Sequence, residues 1–291
     1  MNWDDARIFL AVARQGQLLG AARALGLNHA TVARRLTALE AALGSTLVRR
    51  RTNGTELTSE GERFLAFAET MESASLAAAE AAGADSALVG TVRIGAPDGF
   101  GVAFLAPQLG ELTERHPGLR LELVPVPRAF SLSRREADIA VTLERPREGR
   151  LVARKLTDYR LGLYAAPAYL ERYGTPRRLE DLARHRLVGY VEDLLYTATL
   201  DYTAEFLKDW QSTLSVSSAI GQLEAVGAGA GIGILHTFMA GRDPRLVPVL
   251  PEHRSTRSYW TVVHEDLRNL RRVAVAADFL TEIVARDRAI F

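Results

Sequence analysis

One stretch of this 291-residue sequence carries side chains that could recognise the edges of bases. On a helix, His29, Ala30, Ala33, Arg34 and Thr37 would share a face apart from a leucine-rich stripe. Imidazole and guanidinium groups can donate to guanine N7 or O6, and an alanine methyl can contact the thymine methyl. An ordinary solvated helix face has the same composition, so the flanking residues must decide between the two interpretations.

Arginine residues follow this stretch and favour the first interpretation. The segment LVRRRTNGTELT contains Arg49, Arg50 and Arg51 ahead of Asn53-Gly54, a strong signal for a hairpin turn. Residues 1–58 hold eight arginines and four carboxylates, a net charge of +4 in a chain whose total is +1. A basic head on a mildly acidic body indicates a nucleic-acid partner, because clustered cations neutralise phosphates.

The elements that position these residues are three short helices and the hairpin. Ala6, Phe9, Leu10 and Ala13 follow helical spacing, and Asn28 is a good N-cap for the helix that carries Arg34. The predicted helices end at Gly16, Gly26 and Gly44. Two helices joined by a tight turn form a helix-turn-helix, whose second helix usually enters the major groove.

The stretch from Phe9 to Gly61 resembles the N-terminal signature of LysR-type transcriptional regulators. It departs from the family at 28–33, Asn-His-Ala-Thr-Val-Ala where Ser-Gln-Pro-Ala-Val-Ser is usual, and at Val48, where Phe is usual. The resemblance implies a winged helix-turn-helix on double-stranded DNA, with Thr31, Arg50, Arg51 and Asn53 near phosphates. The matching residues are Phe9, Ala21, Ala22, Leu25, Val32, Leu36, Leu39, Glu40, Leu43, Gly44, Leu47, Arg50, Leu57, Thr58 and Gly61.

A long helix is predicted next, capped by Thr58 or Ser59, with Ser59 to Glu62 fitting a capping box. Its small and apolar residues recur about every 3.5 positions through residue 82, which leaves two interpretations. It could pack on its own domain. The resemblance implies instead a linker helix that pairs with the same helix of a second chain. The linker helix and the effector domain would together form the contacts of a homodimer or homotetramer. The repeat comprises Phe64, Ala68, Met71, Ser75, Ala78 and Ala82.

From about residue 91 strands and helices alternate, which predicts an α/β fold with parallel-type sheets. The predictions include strands at 161–167 and 260–264 and a helix near 201–210. This region resembles the LysR effector domain, two lobes like those of periplasmic binding proteins. The expected organisation is a DNA-binding domain (1–58), a linker helix (59–88) and an effector domain (89–291), with lobe one at 91–161 and 266–291 and lobe two at 162–265.

Ligands of such folds bind beyond the carboxyl ends of the strands, which locates a candidate effector site. In the family, the first of these loops often carries Ser or Thr for an effector carboxylate. Asp98 departs from that pattern and would repel an anion unless it were protonated or paired with Arg128; it could also simply cap a helix. The expected effector is therefore neutral or amino-bearing. The candidate residues are Pro97, Asp98, Gly99, Phe100, Arg128, Ala129, Phe130, Thr142, Glu144, Ser217, Ser218 and Ala219.

Several classes of protein are disfavoured. The absence of cysteine excludes disulfides, thiolate metal sites and thiol catalysis, and the six histidines lack metal-ligand spacing. The glycines of 225–235 do not match the dinucleotide fingerprint and are interpreted as close packing and tight backbone turns. We therefore expect no catalytic residues, metal or cofactor, and, without a signal peptide or long apolar run, a cytoplasmic location and no membrane contact. Two alternatives stay open: a small-molecule receptor without sequence-specific DNA binding, and an enzyme with an appended head.

Overall fold

The computed structural model describes residues 2–51, 54–82, 88–126, 128, 132, 136–146 and 149–291. The chain divides into two compact units. The N-terminal unit consists mainly of Met1–Ser86 with Glu265–Arg271, and the C-terminal unit of Ala87–Leu132, Glu136–His264 and Arg272–Phe291. Among the described residues, no helix is long and apolar enough to cross a membrane.

The N-terminal unit contains the predicted helices and hairpin. Phe9, Leu10, Val32 and Leu39 are buried at its centre, as the helical spacing predicts, and Val12 is buried with them. The elements are α1 (Trp3–Gln15), α2 (Leu18–Leu25), α3 (His29–Leu43), β1 (Val48–Arg51), β2 (Gly54–Leu57) and α4 (Ser59–Ala82).

Local capping sets the ends of these helices. Gly16, Gly26 and Gly44 follow α1, α2 and α3 with φ of 63°, 63° and 64°, a left-handed conformation that suits glycine. Asn28 Oδ1 accepts a hydrogen bond from the Thr31 amide at 2.7 Å, which starts α3 as predicted. These boundaries depend on neighbours in sequence, which is why the sequence could predict them.

The hairpin is fixed to the helices at both strands. Glu40 of α3 accepts hydrogen bonds from the amides of Leu47 at 2.8 Å and Val48 at 3.1 Å, holding the start of β1. The amide of Thr55 donates to the Gly16 carbonyl at 2.7 Å. A Cβ on Gly54 would lie 2.5 Å from that carbonyl, so β2 can approach the α1–α2 turn only with glycine here.

The start of α4 confirms one of the two predicted caps. Thr58 Oγ1 accepts from the Gly61 amide at 2.9 Å and donates to the Thr46 carbonyl at 2.7 Å. The predicted capping box from Ser59 is wrong, because Ser59 is already helical and its hydroxyl donates to Glu60. Ala68 of the predicted repeat is fully buried in the unit's own core, and Phe64 contacts Phe9 edge to face.

The C-terminal unit is built on one eight-stranded sheet in the order β4-β3-β5-β10-β6-β9-β7-β8. β3 is parallel to β4 and β5, and β7 is parallel to β8 and β9. We call these groups the β3–β5 half and the β7–β9 half, each taken with the helices and loops that follow its strands. The strands are β3 (Gly90–Ala96), β4 (Leu119–Pro125), β5 (Ile139–Thr142), β6 (Leu151–Ala165), β7 (Leu187–Gly189), β8 (Leu214–Ser215), β9 (Ile232–His236) and β10 (Val247–His264).

Two long strands connect the halves and correct the sequence prediction. β6 and β10 are antiparallel over most of their length, so the sheet is mixed rather than parallel-type. The predicted strands 161–167 and 260–264 cover only the ends of β6 and β10. The rest of each strand was missed because its buried and exposed residues do not alternate regularly. The helices are α5 (Asp98–Phe100), which continues into a π-helical turn (Gly101–Leu105), α6 (Leu109–Arg115), α7 (Pro167–Tyr173), α8 (Ala219–Gly227), α9 (Thr237–Ala240) and α10 (Arg271–Arg286).

Two other segments test the sequence interpretation. The helix predicted near 201–210 is wrong: that segment holds one short 3-10 helix, Thr203–Glu205, among turns. Of the glycines between α8 and β9, Gly231 serves close packing, since a Cβ there would lie 2.3 Å from the Arg186 carbonyl oxygen, and Gly229 turns the chain with a φ of 83°. They precede a strand rather than a helix, the wrong order for a dinucleotide loop.

Candidate nucleic-acid interface and effector cleft

The α3 face with the predicted base-reading residues is open to solvent. His29, Ala30, Arg34 and Thr37 are exposed, and Ala33 is half-buried. Among the described residues, no carboxylate pairs with Arg34. Its guanidinium is therefore available to a partner.

The neighbouring arginine is held by the protein. Arg35 Nη1 donates to Asp5 Oδ1 at 3.3 Å and lies 3.7 Å from Asp4. This pair connects α3 to the start of α1. Successive arginines on one helix therefore face different surroundings, one the solvent and the other its own unit.

The threonines of the α3 face are partly engaged by the helix itself. Thr37 Oγ1 donates to the carbonyl of Ala33 at 3.1 Å, and Thr31 is half-buried with its amide bonded to Asn28. Of the predicted readers, Arg34 and His29 keep the most freedom to meet base edges.

The hairpin presents arginines beside this helix. Arg49 is exposed, and Arg51 Nε donates to Glu56 Oε2 at 2.8 Å across the two strands. Both members of that pair are well exposed, so water screens it and a phosphate could compete for Arg51. The side chain of Arg50 and the whole of Asn53 lie outside the described residues.

The carboxyl ends of β3 and β5 open on a cavity of about 380 Å³. Pro97, Arg128, Thr142 and Glu144 line it, as strand ends predict. The sequence missed Arg145, Tyr196 and Thr197, since the loops that carry them have no periodic pattern, and it also missed Leu151 at the start of β6. Ala129 and Phe130 lie outside the described residues.

Asp98 does not line this cavity but bridges to the β7–β9 half. Its Oδ2 accepts from Ser218 Oγ at 2.6 Å and from the Ile220 amide at 3.3 Å. The expected partner, Arg128, donates instead to Glu136 at 2.7 Å. Asp98 does not cap its own helix either, because Pro97 occupies the N-cap of α5 without a side-chain bond. The carboxylate instead lies at the start of α8.

Other predicted cleft residues have structural positions. Phe100 is fully buried and packs against Phe104, Tyr259 and Phe291, so it belongs to the core rather than to the cavity wall. Gly99 provides the close approach to Ala219, whose Cβ would lie 3.1 Å from an added Cβ. Ser217 is half-buried, and neither it nor Gly99 lines the cavity.

A second carboxylate makes a similar bridge. Glu144, in the loop after β5, accepts hydrogen bonds from the Thr199 amide at 3.1 Å, the Thr199 hydroxyl at 2.5 Å and the Thr197 hydroxyl. The Thr199 carbonyl faces Arg257 of β10, which also pairs with Glu205. The cavity wall is therefore hydrogen-bonded to a strand that connects the two halves.

Aromatic residues and one histidine fill the region between the halves. Tyr159 stacks on Tyr259, with ring centroids 4.1 Å apart, and on His236 at 5.2 Å. Burial lowers the pKa of His236 to about 4, although the Asp98 charge acts in the opposite direction. His236 is therefore neutral at physiological pH. Burial also raises the pKa of Tyr196 and Tyr202, which remain protonated.

Comparison with known proteins assigns both units. Residues 3–62 match the family described as bacterial regulatory helix-turn-helix protein, lysR family, and residues 85–285 match the LysR substrate binding domain. The chain is 30% identical over 289 residues to the HTH-type transcriptional regulator CrgA of Neisseria meningitidis, with 97% of this chain and 96% of CrgA covered. It is 28% identical to the HTH-type transcriptional activator TtdR of Escherichia coli, covering 95% of this chain and 91% of TtdR.

Solved structures agree with this assignment. The structure of CrgA from Neisseria meningitidis matches with a TM-score of 0.60 at 27% identity, covering 97% of this chain and 98% of CrgA. Full-length OxyR from Pseudomonas aeruginosa matches in fold, with a TM-score of 0.73 at 18% identity, covering 98% and 94%. The chain belongs to the LysR family and is a DNA-binding transcriptional regulator with a winged helix-turn-helix and a small-molecule effector domain.

Proposed function

We propose that this regulator recognises its operator through the exposed face of α3. Arg34 and His29 contact base edges, Ala30 and Ala33 contact thymine methyls, and the arginines of the hairpin hold phosphates. The observation that carries this assignment is the contrast between Arg34, exposed and unpaired among the described residues, and Arg35, which its own unit engages. A guanidinium without an internal partner loses no ion pair when it binds a base.

The protein acts as a homodimer or homotetramer on a partly palindromic operator. Two-fold symmetry in the protein requires two-fold symmetry in the operator. Its half-sites should lie about one helical turn apart, or a multiple of one turn. The small-molecule effector occupies the 380 Å³ cavity at the ends of β3 and β5. It regulates only if it binds one arrangement of the two halves more tightly than the other, since equal affinity shifts no equilibrium.

A regulatory role is favoured over catalysis and over ligand binding alone. The cavity side chains combine cationic, acidic and hydroxyl groups with apolar residues such as Val141, Leu143 and Leu151, a lining that suits a small molecule with polar and apolar parts. The N-terminal unit matches a family of regulatory helix-turn-helix proteins, and the relatives CrgA and TtdR are named a transcriptional regulator and a transcriptional activator. Turnover of a bound small molecule would support the enzyme alternative, and affinity for a ligand without affinity for DNA would support the receptor.

The test compares wild type, Arg34→Ala and Arg120→Ala on the DNA just upstream of the protein's own gene. Arg120 is exposed on β4, so its substitution removes the same charge from the other unit. In excess competitor DNA, Arg34→Ala should lose about tenfold or more in specific affinity while keeping a similar salt dependence. Arg120→Ala should bind like wild type.

Two results would contradict the assignment. Equal, weak binding of all three proteins to any sequence would leave only a phosphate-seeking basic head. Specific binding that survives in Arg34→Ala would place base recognition elsewhere on the unit.

A further inference from the structure

The carboxylate that Asp98 extends to α8 occupies a position suited to an anionic ligand. α8 has nine residues and begins after Ser218, whose hydroxyl accepts from the Gly221 amide at 3.2 Å. The free amides of a helix N-terminus carry partial positive charge and favour anions. Here an anion is already present, since Asp98 Oδ2 accepts from the Ser218 hydroxyl and the Ile220 amide.

We infer that Asp98 is a specificity-determining residue that serves as an internal anionic ligand of α8. It holds the two halves together when no effector is bound. Because its carboxylate excludes other acids from this position, the effector binds without a carboxylate or phosphate at α8. This inference rests on the proposed function only in identifying the neighbouring cavity as the effector site.

Close packing prevents a second anion from sharing this position. Asp98 is only 8% exposed. A Cβ on the adjacent Gly99 would lie 3.1 Å from both the Ala219 Cβ and the Met239 Sδ. An acid could reach the α8 amides only by displacing Asp98. Two carboxylates so close together would also repel each other.

The Ser218 hydroxyl and the α8 amide, rather than a cation, set the electrostatic environment of Asp98 in the described part of the chain. Among the described residues, no cationic side chain pairs with it: Arg128 bonds to Glu136, and buried His236 is neutral. Its Oδ1 makes no hydrogen bond within that same set, but it is not one of the fully buried polar atoms, so water can reach it. The α8 N-terminus and the Ser218 hydroxyl are therefore the groups that stabilise this buried charge, and they would be left unpaired if it were removed.

Glu144 repeats the arrangement at the cavity wall. Its carboxylate comes from the β3–β5 half and accepts from Thr197 and Thr199, which lie in the chain between β7 and β8. Both bridges therefore join a carboxylate of one half to hydroxyl and amide donors of the other. The carboxylates of Asp98 and Glu144 therefore occupy the donor groups that the carboxylates of an acidic effector would otherwise bind.

The experiment removes the Asp98 carboxylate and supplies it again as a small free acid. Full-length Asp98→Ala, wild type and the double variant Asp98→Ala, Ser218→Ala are unfolded thermally with increasing sodium formate or acetate, against sodium chloride at equal ionic strength. We expect Asp98→Ala to unfold about 5 °C below wild type. Formate should restore much of that difference in a saturable manner, because it fits the vacated space between Ser218 and Ile220.

The controls separate a specific site from a general salt effect. Wild type and the double variant should respond to formate no more than to chloride. Asp98→Asn, which keeps the side-chain shape and one acceptor oxygen, should be destabilised less and show no rescue. If Asp98→Ala does not fold in chloride, recovery of folded protein only in formate supports the same conclusion.

The inference is overturned if formate and acetate stabilise wild type and Asp98→Ala alike, or if neither acid acts saturably on the variant. Failure of the proposed function gives a different result. Rescue by formate in a protein that never binds DNA specifically would refute the operator assignment and leave the role of Asp98 intact.

Discussion

At the residue scale, a partner within hydrogen-bond reach decides what a charged side chain does. Arg34 and Arg35 are adjacent, yet the first faces solvent and the second bonds to Asp5. Asp98 and Glu144 are both carboxylates at strand ends, and both accept hydrogen bonds from the opposite half. Residue type and position in the sequence singled out Arg34, Asp98 and Glu144, while Arg35 and the partners of all these groups followed from the packing.

His236 makes stability depend on pH. Its pKa in the folded protein is about 4, against 6.5 for an exposed histidine, so the unfolded chain binds its proton more readily. This contribution to stability is complete above about pH 6.5 and is lost as the pH falls toward 4. Between about pH 7 and pH 5 the free energy of unfolding should fall by about 2 kcal/mol through this residue.

Urea unfolding of wild type and His236→Gln at several pH values measures that contribution. The difference in stability between the two proteins should shrink as the pH is lowered, because glutamine does not titrate. Tyr159, Phe238 and the charge of Asp98 surround the imidazole and are unchanged in the comparison. A constant difference from pH 7 to about pH 5 would show that His236 has an ordinary pKa.

At the element scale, the hairpin depends on one carboxylate of α3. Replacing Glu40 by Ala removes the acceptor for the amides of Leu47 and Val48. The N-terminal unit should lose about 2 kcal/mol of unfolding free energy, as expected for hydrogen bonds to a charged group. Chemical denaturation followed by circular dichroism checks this loss.

Glu40→Gln is the matched control. It keeps an acceptor oxygen of similar reach, so it should cost less than half as much. Equal losses in the two variants would mean that the charge of Glu40, rather than the acceptor oxygen it places beside the start of β1, is what stabilises the hairpin.

Elements were predictable where their signals are local. Glycine after a helix and asparagine before one act on neighbouring backbone groups, and α1, α2 and α3 have the predicted ends. The failures have a common cause. β6 and β10 pair with strands on both sides and alternate poorly in exposure, and the region 201–210 is held by tertiary contacts such as Glu205 with Arg257 rather than by helical periodicity.

At the scale of the whole molecule, α4 carries a largely exposed aromatic ring. Phe67 is 69% exposed, whereas Leu65 and Ala68 pack into the N-terminal core. If α4 pairs with its twin in the homodimer, Phe67→Glu should shift the protein toward monomer and weaken binding to a two-half-site operator. Analytical ultracentrifugation measures the first effect and a mobility-shift assay the second.

Ala66→Glu controls for the added charge, since Ala66 is exposed about 100° around the same helix. It should leave the assembly unchanged. A dimer of undiminished strength in Phe67→Glu would assign assembly to other surfaces of the chain.

The sequence by itself determined the family, the helix-turn-helix with its hairpin, the α/β class of the body and the strand ends where the cavity lies. These features depend on local capping, on periodicity and on a dense motif. Only the tertiary structure decided that Arg35 is engaged while Arg34 is open, that Phe100 is core, and that Asp98 reaches α8. Each of these depends on a partner far away in sequence, and folding brings Asp98 to Ser218 across 120 positions.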